Sequence, residues 1–571
     1  MNRFFNRYTT LYIVLLLTLL FSFLAFQNAW WWLVAALFAA LSLRGVVDMT
    51  QTRNTIRRNY PVIGNLRFLF EYIRPEIRQY FIEGDDQQLP FSRADRSLVY
   101  QRAKQEEDKQ PFGTQEDVYS PGYEWMNHSM IPSEIKDTDF RVTVGGPDCT
   151  KPYEMSVFSI SAMSFGALSA NAILALNRGA VLGNFTHDTG EGGISAYHRR
   201  YGGDLIWNIG SGYFGCRDEH GNFSPEKFSE RARQDNVKMI EIKLSQGAKP
   251  GQGGILPAAK VTAEIAEARD VPVGKDCLSP PQHSAFKTPV ELLEFVAQLR
   301  ELSGGKPVGI KLTIGHAWEW FAIAKAMLKT NITPDFIVVD GAEGGTGAAP
   351  VEFMNHVGVP LREALRLVHN TLVGVGLREK IKIGASGKII SAFDMARIMA
   401  LGADWCNSGR GFMFAIGCIQ ALACHTGKCP AGVTTQDPIR QKALNVTDKS
   451  LRVASYHQNT LKALADLLRA AGLEHPSALR PHHVARRISN GEVRVLSALF
   501  PDLDKGELLK GEFRQTVFRM GWPMANPDSF EPEYSLSAAM SGLNDTQIPL
   551  QSPENANEAS QHRRHPVETN I

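Results

Sequence analysis

Eight short apolar runs recur through the middle of the chain, most of them followed at once by a glycine-rich cluster. This rhythm limits the fold more than any other feature. The runs are Val157–Ser161, Asn184–His187, Leu205–Ile209, Met239–Leu244, Val308–Leu312, Phe336–Val339, Ile381–Ile383 and Asp404–Asn407. Helical patterns separate several of them, at Ala170–Leu182, Ala258–Ala268, Glu291–Leu302, Trp318–Leu328 and Ser391–Ala400. Strand and helix in alternation predict an α/β chain with a parallel sheet, and eight such units predict a closed (β/α)8 TIM barrel. A doubly wound open sheet has the same periodicity. In a barrel the loops after the strands gather at one rim, where active sites lie. Here those loops include MSFGALS (163–169), DTGEGG (188–193), SQGAKPGQGG (245–254), GASGK (384–388) and NSGRG (407–411). Glycine lets backbone N–H groups come close to a ligand.

Flanking segments divide the rest of the chain. Residues 49–150 read as an N-terminal extension packed on the barrel of 151–440, with prolines breaking any long helix. Residues 441–550 read as a helical C-terminal extension, and 551–571 as a polar, disordered tail. Net charge is +2 and no basic tract runs through the body, which argues against nucleic acid as a partner.

Residues 1–48 are different. Leu11–Phe26 and Ala29–Leu43 are uncharged apolar runs joined by Gln27 and Asn28. Arg3 and Arg7 precede the pair, and Arg44, Arg53, Arg57 and Arg58 follow it. Positive flanks on both sides predict a hairpin of two transmembrane helices whose ends are cytoplasmic, with Trp30, Trp31 and Trp32 at the far interface. The protein is then a multi-pass inner-membrane protein with its catalytic domain in the cytoplasm. A cleaved signal peptide is the competing reading, but no small-x-small site follows the first run.

Of the seven cysteines, Cys418, Cys424 and Cys429 fall within twelve residues beside Gly427, Pro430 and Gly432. Three thiolates so close in sequence can wrap a soft-metal centre. The spacing is neither a zinc knuckle nor the usual ferredoxin run, and a zinc site with His425 is an alternative. Gly384–Lys388 and Gly409–Gly411 follow candidate strands seven and eight, the recurrent phosphate position of barrel enzymes, and Lys388 and Arg410 add positive charge. Lys243 and Lys249 stand at the end of candidate strand four and in the loop beyond it, where lysines can serve a flavin ring and a substrate carboxylate. GSGYFG (210–215) has the spacing of a dinucleotide fingerprint but opens no immediate helix, so it reads as a barrel loop.

The stretches ISAMSFGALS, DTGEGG, EIKLSQGAKPGQGGILPAAKVT, LSPPQH, DGAEGGTGAAP and GCIQALACHTGKCPAGVTTQD lie between about residues 155 and 440. Together they resemble the FMN-binding glutamate-synthase-family proteins, in the family's order. The resemblance implies an FMN-dependent barrel with a 3Fe–4S cluster on Cys418, Cys424 and Cys429. It implies that Met163, Ser164, Asn208, Lys249, Gly387, Gly409 and Arg410 bind the flavin, with Asn208 standing where the family usually has glutamine. Lys243 and Arg269 match positions that bind the carboxylates of 2-oxoglutarate, and Glu191 matches the loop glutamate near where ammonia arrives. Lys243, Lys249 and Glu191 are therefore the expected catalytic set.

Two departures stand beside the likeness. No counterpart of the family's glutaminase domain is expected in the chain, so nitrogen would come from free ammonia, an amine or a separate subunit. The family's GEGGQLP reads GQGGILP here, so Gln252 replaces a glutamate and Ile255 a substrate-binding glutamine. A hydrogen bond lost from a carboxylate pocket costs about 1–3 kcal/mol, enough to change substrate preference. The expected reaction is reductive amination of a small 2-oxo acid, or its reverse, with electrons from a ferredoxin-like or membrane donor. The alternatives are a membrane-anchored flavin and iron–sulfur oxidoreductase acting on a different small amino or oxo acid, and an electron-transfer subunit.

Overall fold

The computed structural model describes residues 7–533 apart from 86–88, 257, 259, 260, 346 and 348. Arg3 and the tail at 551–571 thus lie outside the described residues. The chain forms two units, Met1–Ala94 and Asp95–Ile571.

In the first unit, helices Thr9–Ala25 and Trp31–Thr50 pack against each other. Thr18 and Ser42 hydroxyls meet at 2.9 Å, and Phe21 stacks on both Trp31 and Phe38 at 5.3 Å. Gly45 permits the contact, because a Cβ there would stand 2.5 Å from Leu11 Cδ1. Leu16, Leu19, Phe23, Leu33 and Leu37 face outward. Among the described residues one helix, Trp31–Thr50, is long and apolar enough to cross a membrane, while Thr9–Ala25 has 17 residues. The prolines of the next segment do not keep it irregular. Gly64–Ile77 is helical with Pro75 inside it, and Arg78–Ile82 continues as a π-helix. Proline in the last turn removes a single intrahelical donor, and the wider turn beyond it carries the chain on.

The second unit is built on the barrel. Its strands are β1 (Phe158–Ile160), β2 (His187–Asp188), β3 (Leu205–Ile209), β4 (Val237–Lys243), β5 (Val308–Leu312), β6 (Phe336–Asp340), β7 (Lys382–Ser386) and β8 (Trp405–Ser408). All eight pair in parallel with their sequence neighbours, and β8 closes on β1 through Asn407 opposite Ser159. Every apolar run from the sequence overlaps one of them. The strands are buried almost throughout, as parallel strands covered by helices require. Capping side chains set the helix starts: Ser169 caps Ala170–Gly183, Thr288 caps Pro289–Leu302 and Ser391 caps Ala392–Ala400. Thr262 caps Ala263–Arg269, which therefore begins five residues later than the 258–268 pattern predicts.

The C-terminal extension is only partly helical. Val446–Ala470 is a long helix packed on Ala170–Gly183, and Gly179 allows the approach, since a Cβ there would meet Val453 Cγ1 at 2.3 Å. Beyond it, Val484–Ser489 and Glu492–Val495 form an antiparallel hairpin, correcting the expectation of helix through about residue 510. Val484–Ser489 also pairs with Glu124–Met126, so the two extensions share one sheet. Glu124 then accepts from Arg362 at 2.6 Å and Arg397 at 2.9 Å, tying that sheet to two barrel helices.

Candidate active site

Because all eight strands run the same way, the loops after them meet at one mouth. Glycines bring them together. A Cβ on Gly190, after β2, would stand 2.6 Å from the Ser164 nitrogen after β1. One on Gly247, after β4, would stand 1.8 Å from the Gly341 carbonyl oxygen after β6.

Three of the sequence-expected residues line one small polar cavity at this mouth. Glu191, Lys243 and Lys249 share it with Ser211, Gln252 and Ser279. Lys243 Nζ lies 2.9 Å from Glu191 Oε2. Burial pushes the Glu191 carboxyl up, but Lys243, and more distantly Arg269 and Lys249, hold it below its ordinary range. The Lys249 ammonium is lowered, chiefly by burial, with Glu191 opposing and Lys243 adding to the shift. An ion pair with a second, destabilised cation beside it favours an anionic guest.

Arg269 does not line this cavity. It is buried, with Nη2 donating to the Phe165 carbonyl at 3.2 Å and its guanidinium 5.0 Å from the Phe214 ring centre. Ile255 is also displaced from the place the motif suggests. Its strand, Gly254–Leu256, pairs with Cys277–Ser279, and the Ile255 side chain is 70% exposed. Of the two departures from the family's motif, Gln252 is the one that touches the cavity.

His283, within LSPPQH, is a positioning residue not singled out from the sequence. Its Nε2 donates to the Lys243 carbonyl at 2.8 Å, which leaves Nδ1 to accept from the Tyr213 hydroxyl at 3.1 Å. Burial lowers its pKa to about 4, so the neutral ring with this tautomer clamps the backbone of Lys243.

The ends of β7 and β8 carry Gly387, Lys388, Gly409 and Arg410. Arg410 Nη2 donates to the Glu343 carbonyl at 2.8 Å, and burial pulls its pKa down to about 10. Lys388 is lowered by burial and then by the charge of Arg410. A Cβ on Gly409 would meet Met163 and Ser161 at 3.7 Å, so the β1 and β8 loops lie side by side there at ordinary packing distance. Asn208 lies inside the barrel, its Nδ2 donating to Glu241 Oε1 at 2.5 Å while its buried Oδ1 has no partner among the described residues.

Cys418, Cys424 and Cys429 follow β8. The thiolates of Cys424 and Cys429 add to burial in raising Cys418 to about 11, so the three are electrostatic neighbours. Burial would raise Cys429 as well, yet backbone N–H groups of Thr434, Val433 and Ala431 bring it below its ordinary value. Gln420 and Leu422 have φ of 57° and 54°, a conformation that non-glycine residues adopt at a cost. Tyr100 OH donates to the Cys418 carbonyl at 2.7 Å, and this anchor comes from the N-terminal extension. Among the described residues no three Cys, His, Asp or Glu side chains are grouped as a metal ligand set.

A closed parallel barrel with a charged, glycine-lined mouth defines a (β/α)8-barrel enzyme. The description "Conserved region in glutamate synthase" matches residues 133–474, more than half the chain. The chain belongs to the glutamate synthase family and is an oxidoreductase of the class acting on CH–NH2 donors. A glutamate synthase large subunit-like protein of Bacillus subtilis (strain 168) is 39% identical over 489 residues, covering 78% of this chain and 93% of that one. The archaeal glutamate synthase (NADPH) of Methanocaldococcus jannaschii is 37% identical over 322 residues, 56% of this chain and 60% of its own length. The chain thus spans about three fifths of such archaeal relatives. Among solved structures, a mandelate oxidase mutant with an FMN adduct has a TM-score of 0.38 at 15% identity, covering 76% of this chain and 99% of that one.

Proposed function

We propose that the protein is an FMN-dependent oxidoreductase that reductively aminates a small 2-oxo acid, or runs the reverse reaction. The observation that carries this reading is the Glu191–Lys243–Lys249 cavity at the same mouth as the Lys388–Arg410 cation pair. FMN supplies hydride chemistry when bound. The residues present fit it: Lys388 and Arg410, each destabilised by burial, suit its phosphate. Gly387, Gly409 and Arg410 hold the phosphate in this reading, Met163, Ser164 and Asn208 contact the ring, and Lys249 stands beside it. Lys243 binds the substrate carboxylate, and Glu191 receives the proton that ammonia loses as it adds to the oxo carbon. Arg269, packed under the Phe165 carbonyl, supports the pocket from outside its lining.

The finer parts of the reading are of the same kind. Cys418, Cys424 and Cys429 hold a 3Fe–4S cluster, a reading supported by their spacing in the sequence and by the thiolate-favouring backbone around Cys429. Electrons come from a ferredoxin-like or membrane donor, and nitrogen from free ammonia or a separate subunit. The N-terminal helices sit in the inner membrane and leave the barrel in the cytoplasm; the outward apolar side chains and flanking arginines support this.

The test is spectroscopic. The purified protein should show a flavin spectrum bleached by dithionite and an iron EPR signal. Adding 2-oxoglutarate and ammonia to reduced protein should restore the oxidised spectrum. Colourless protein overturns the reading; reoxidation by another oxo acid alone keeps the enzyme and changes its substrate, an outcome for which Gln252 is the residue to examine.

A further inference from the structure

The helix Gly64–Ile77 follows the N-terminal pair and carries two stripes. Leu66, Leu69, Phe70, Ile73 and Ile77 recur at steps that place them on one face. Tyr80 and Phe81 follow in the π-turn Arg78–Ile82. Apolar side chains so arranged ordinarily meet a core. Here Phe70 is 60% and Phe81 85% exposed, and Leu66 and Leu69 are exposed with them. Arg67, Arg74 and Arg78 share the neighbouring flank. Flank and face enclose a groove of about 650 Å³, with Phe70, Ile77 and Ile82 as its apolar lining.

Charge on this segment is one-sided. Arg53, Arg57, Arg58, Arg67, Arg74 and Arg78 stand against Glu71, Glu76 and Glu83. Glu71 and Glu83 also line the groove, and Glu71 is paired with Arg67 at 3.0 Å. Arg57 lies 4.4 Å from the Phe68 ring centre. Arg74 and Arg78 line the groove and, among the described residues, have no side-chain hydrogen bond or ion pair.

The start of the helix is fixed to the charged end of the apolar pair. Asp48, buried near the end of Trp31–Thr50, accepts from the Val62 N–H at 3.2 Å and from the Asn65 amide. Its other oxygen pairs with Arg44 at 3.2 Å. Arg44 also donates to Asn65 at 3.1 Å, and Arg7 to Asn59 at 3.1 Å. Arginines at the ends of spanning helices stay at the headgroup level, so Gly64–Ile77 leaves the hairpin at that depth.

We propose that residues 64–82 lie in the cytoplasmic surface of the membrane, the apolar face among acyl chains and Arg74 and Arg78 on the phosphates of anionic phospholipids. This rests on the membrane reading above. A helix with an apolar stripe and a basic flank binds in this way, and the cytoplasmic leaflet is the anionic one. A guanidinium meets a phosphate with two parallel N–H donors.

Full-length protein in phosphatidylcholine vesicles, with and without phosphatidylglycerol, tests the proposal by deuterium exchange of residues 66–82. Exchange should be slower with phosphatidylglycerol, and R74Q/R78Q should cancel that difference. Each arginine at an anionic surface is worth about fivefold in partition, so the two together account for roughly 30-fold. L69S/F70S should speed exchange in both kinds of vesicle. Equal exchange in the two kinds, or a lipid effect that R74Q/R78Q leaves intact, overturns the proposal. So does protection that follows protein concentration rather than lipid charge, which marks a second copy of the chain on this face. An alkaline carbonate wash separates this result from the hairpin. Protein that survives the wash but ignores phosphatidylglycerol keeps the hairpin and loses the docked helix. Protein that phosphatidylglycerol protects but the wash releases keeps the docked helix and loses the hairpin.

Discussion

Lys243 is held from three directions: its ammonium by Glu191, its carbonyl by His283, and its strand by β5. A charged hydrogen bond contributes about 1.5–3 kcal/mol, so Lys243→Met should lower kcat/KM for a carboxylate substrate by roughly 10- to 100-fold, mainly through KM. Steady-state kinetics checks this; an unchanged KM removes Lys243 from the carboxylate site. The His283 ring makes a pH prediction. Its folded pKa, about 4, lies below the ordinary histidine value, so between these limits the unfolded chain binds a proton that the folded chain does not. Stability is therefore lost as pH falls from about 6.5 toward 4, by on the order of 3 kcal/mol at the acid end. Urea denaturation across that range should show a shallower loss in H283Q. At this scale the mouth was legible from glycine clusters and lysines. Glu241 was not, because a lone acid in an apolar run carries no sign of which way its side chain faces.

The barrel strands were readable as elements because burial on both faces makes each a continuous apolar run. The hairpin at Val484–Val495 was not read, although Asn490 and Gly491 between two β-rich stretches are a tight-turn signal. Its strands carry Arg486, Arg487, Glu492 and Arg494, and charge hid the alternation. Pro75 misled in the opposite sense, since a proline near a helix end costs one hydrogen bond without ending the helix. Helix contacts yield a firmer prediction. Gly179→Val would drive a side chain into Val453 and the Ser450 carbonyl, separating Ala170–Gly183 from Val446–Ala470. Overpacking of this kind costs about 1–3 kcal/mol, and thermal denaturation should show a lower Tm. Truncating any one of Cys418, Cys424 or Cys429 to alanine should abolish iron content and leave flavin bound, as metal analysis and the visible spectrum would report.

For the molecule as a whole, Glu124 is the point where the shared sheet meets the barrel. Removing a buried partner and leaving its charges uncompensated costs about 3–5 kcal/mol, so Glu124→Ala should loosen residues 105–140. Faster proteolysis of that segment is the expected result, and unchanged protection would contradict the role. The membrane reading has its own test. A reporter at Asn28 should lie outside the cytoplasm and one at the C-terminus inside it.

The sheet that joins Glu124–Met126 to Val484–Ser489 also sets an order of events during synthesis. A ribosome makes the apolar helices first and the first strand of that sheet soon after, then must translate the whole barrel before its partner exists. Until residue 484 emerges, the strand around Trp125 is open on both edges and carries aromatic and methionine side chains, which chaperones recognise and other chains can pair with. Expression that outruns the translation of the last hundred residues should thus yield aggregates bearing a folded barrel. A message that pauses after that point is safe in a way that one pausing before it is not.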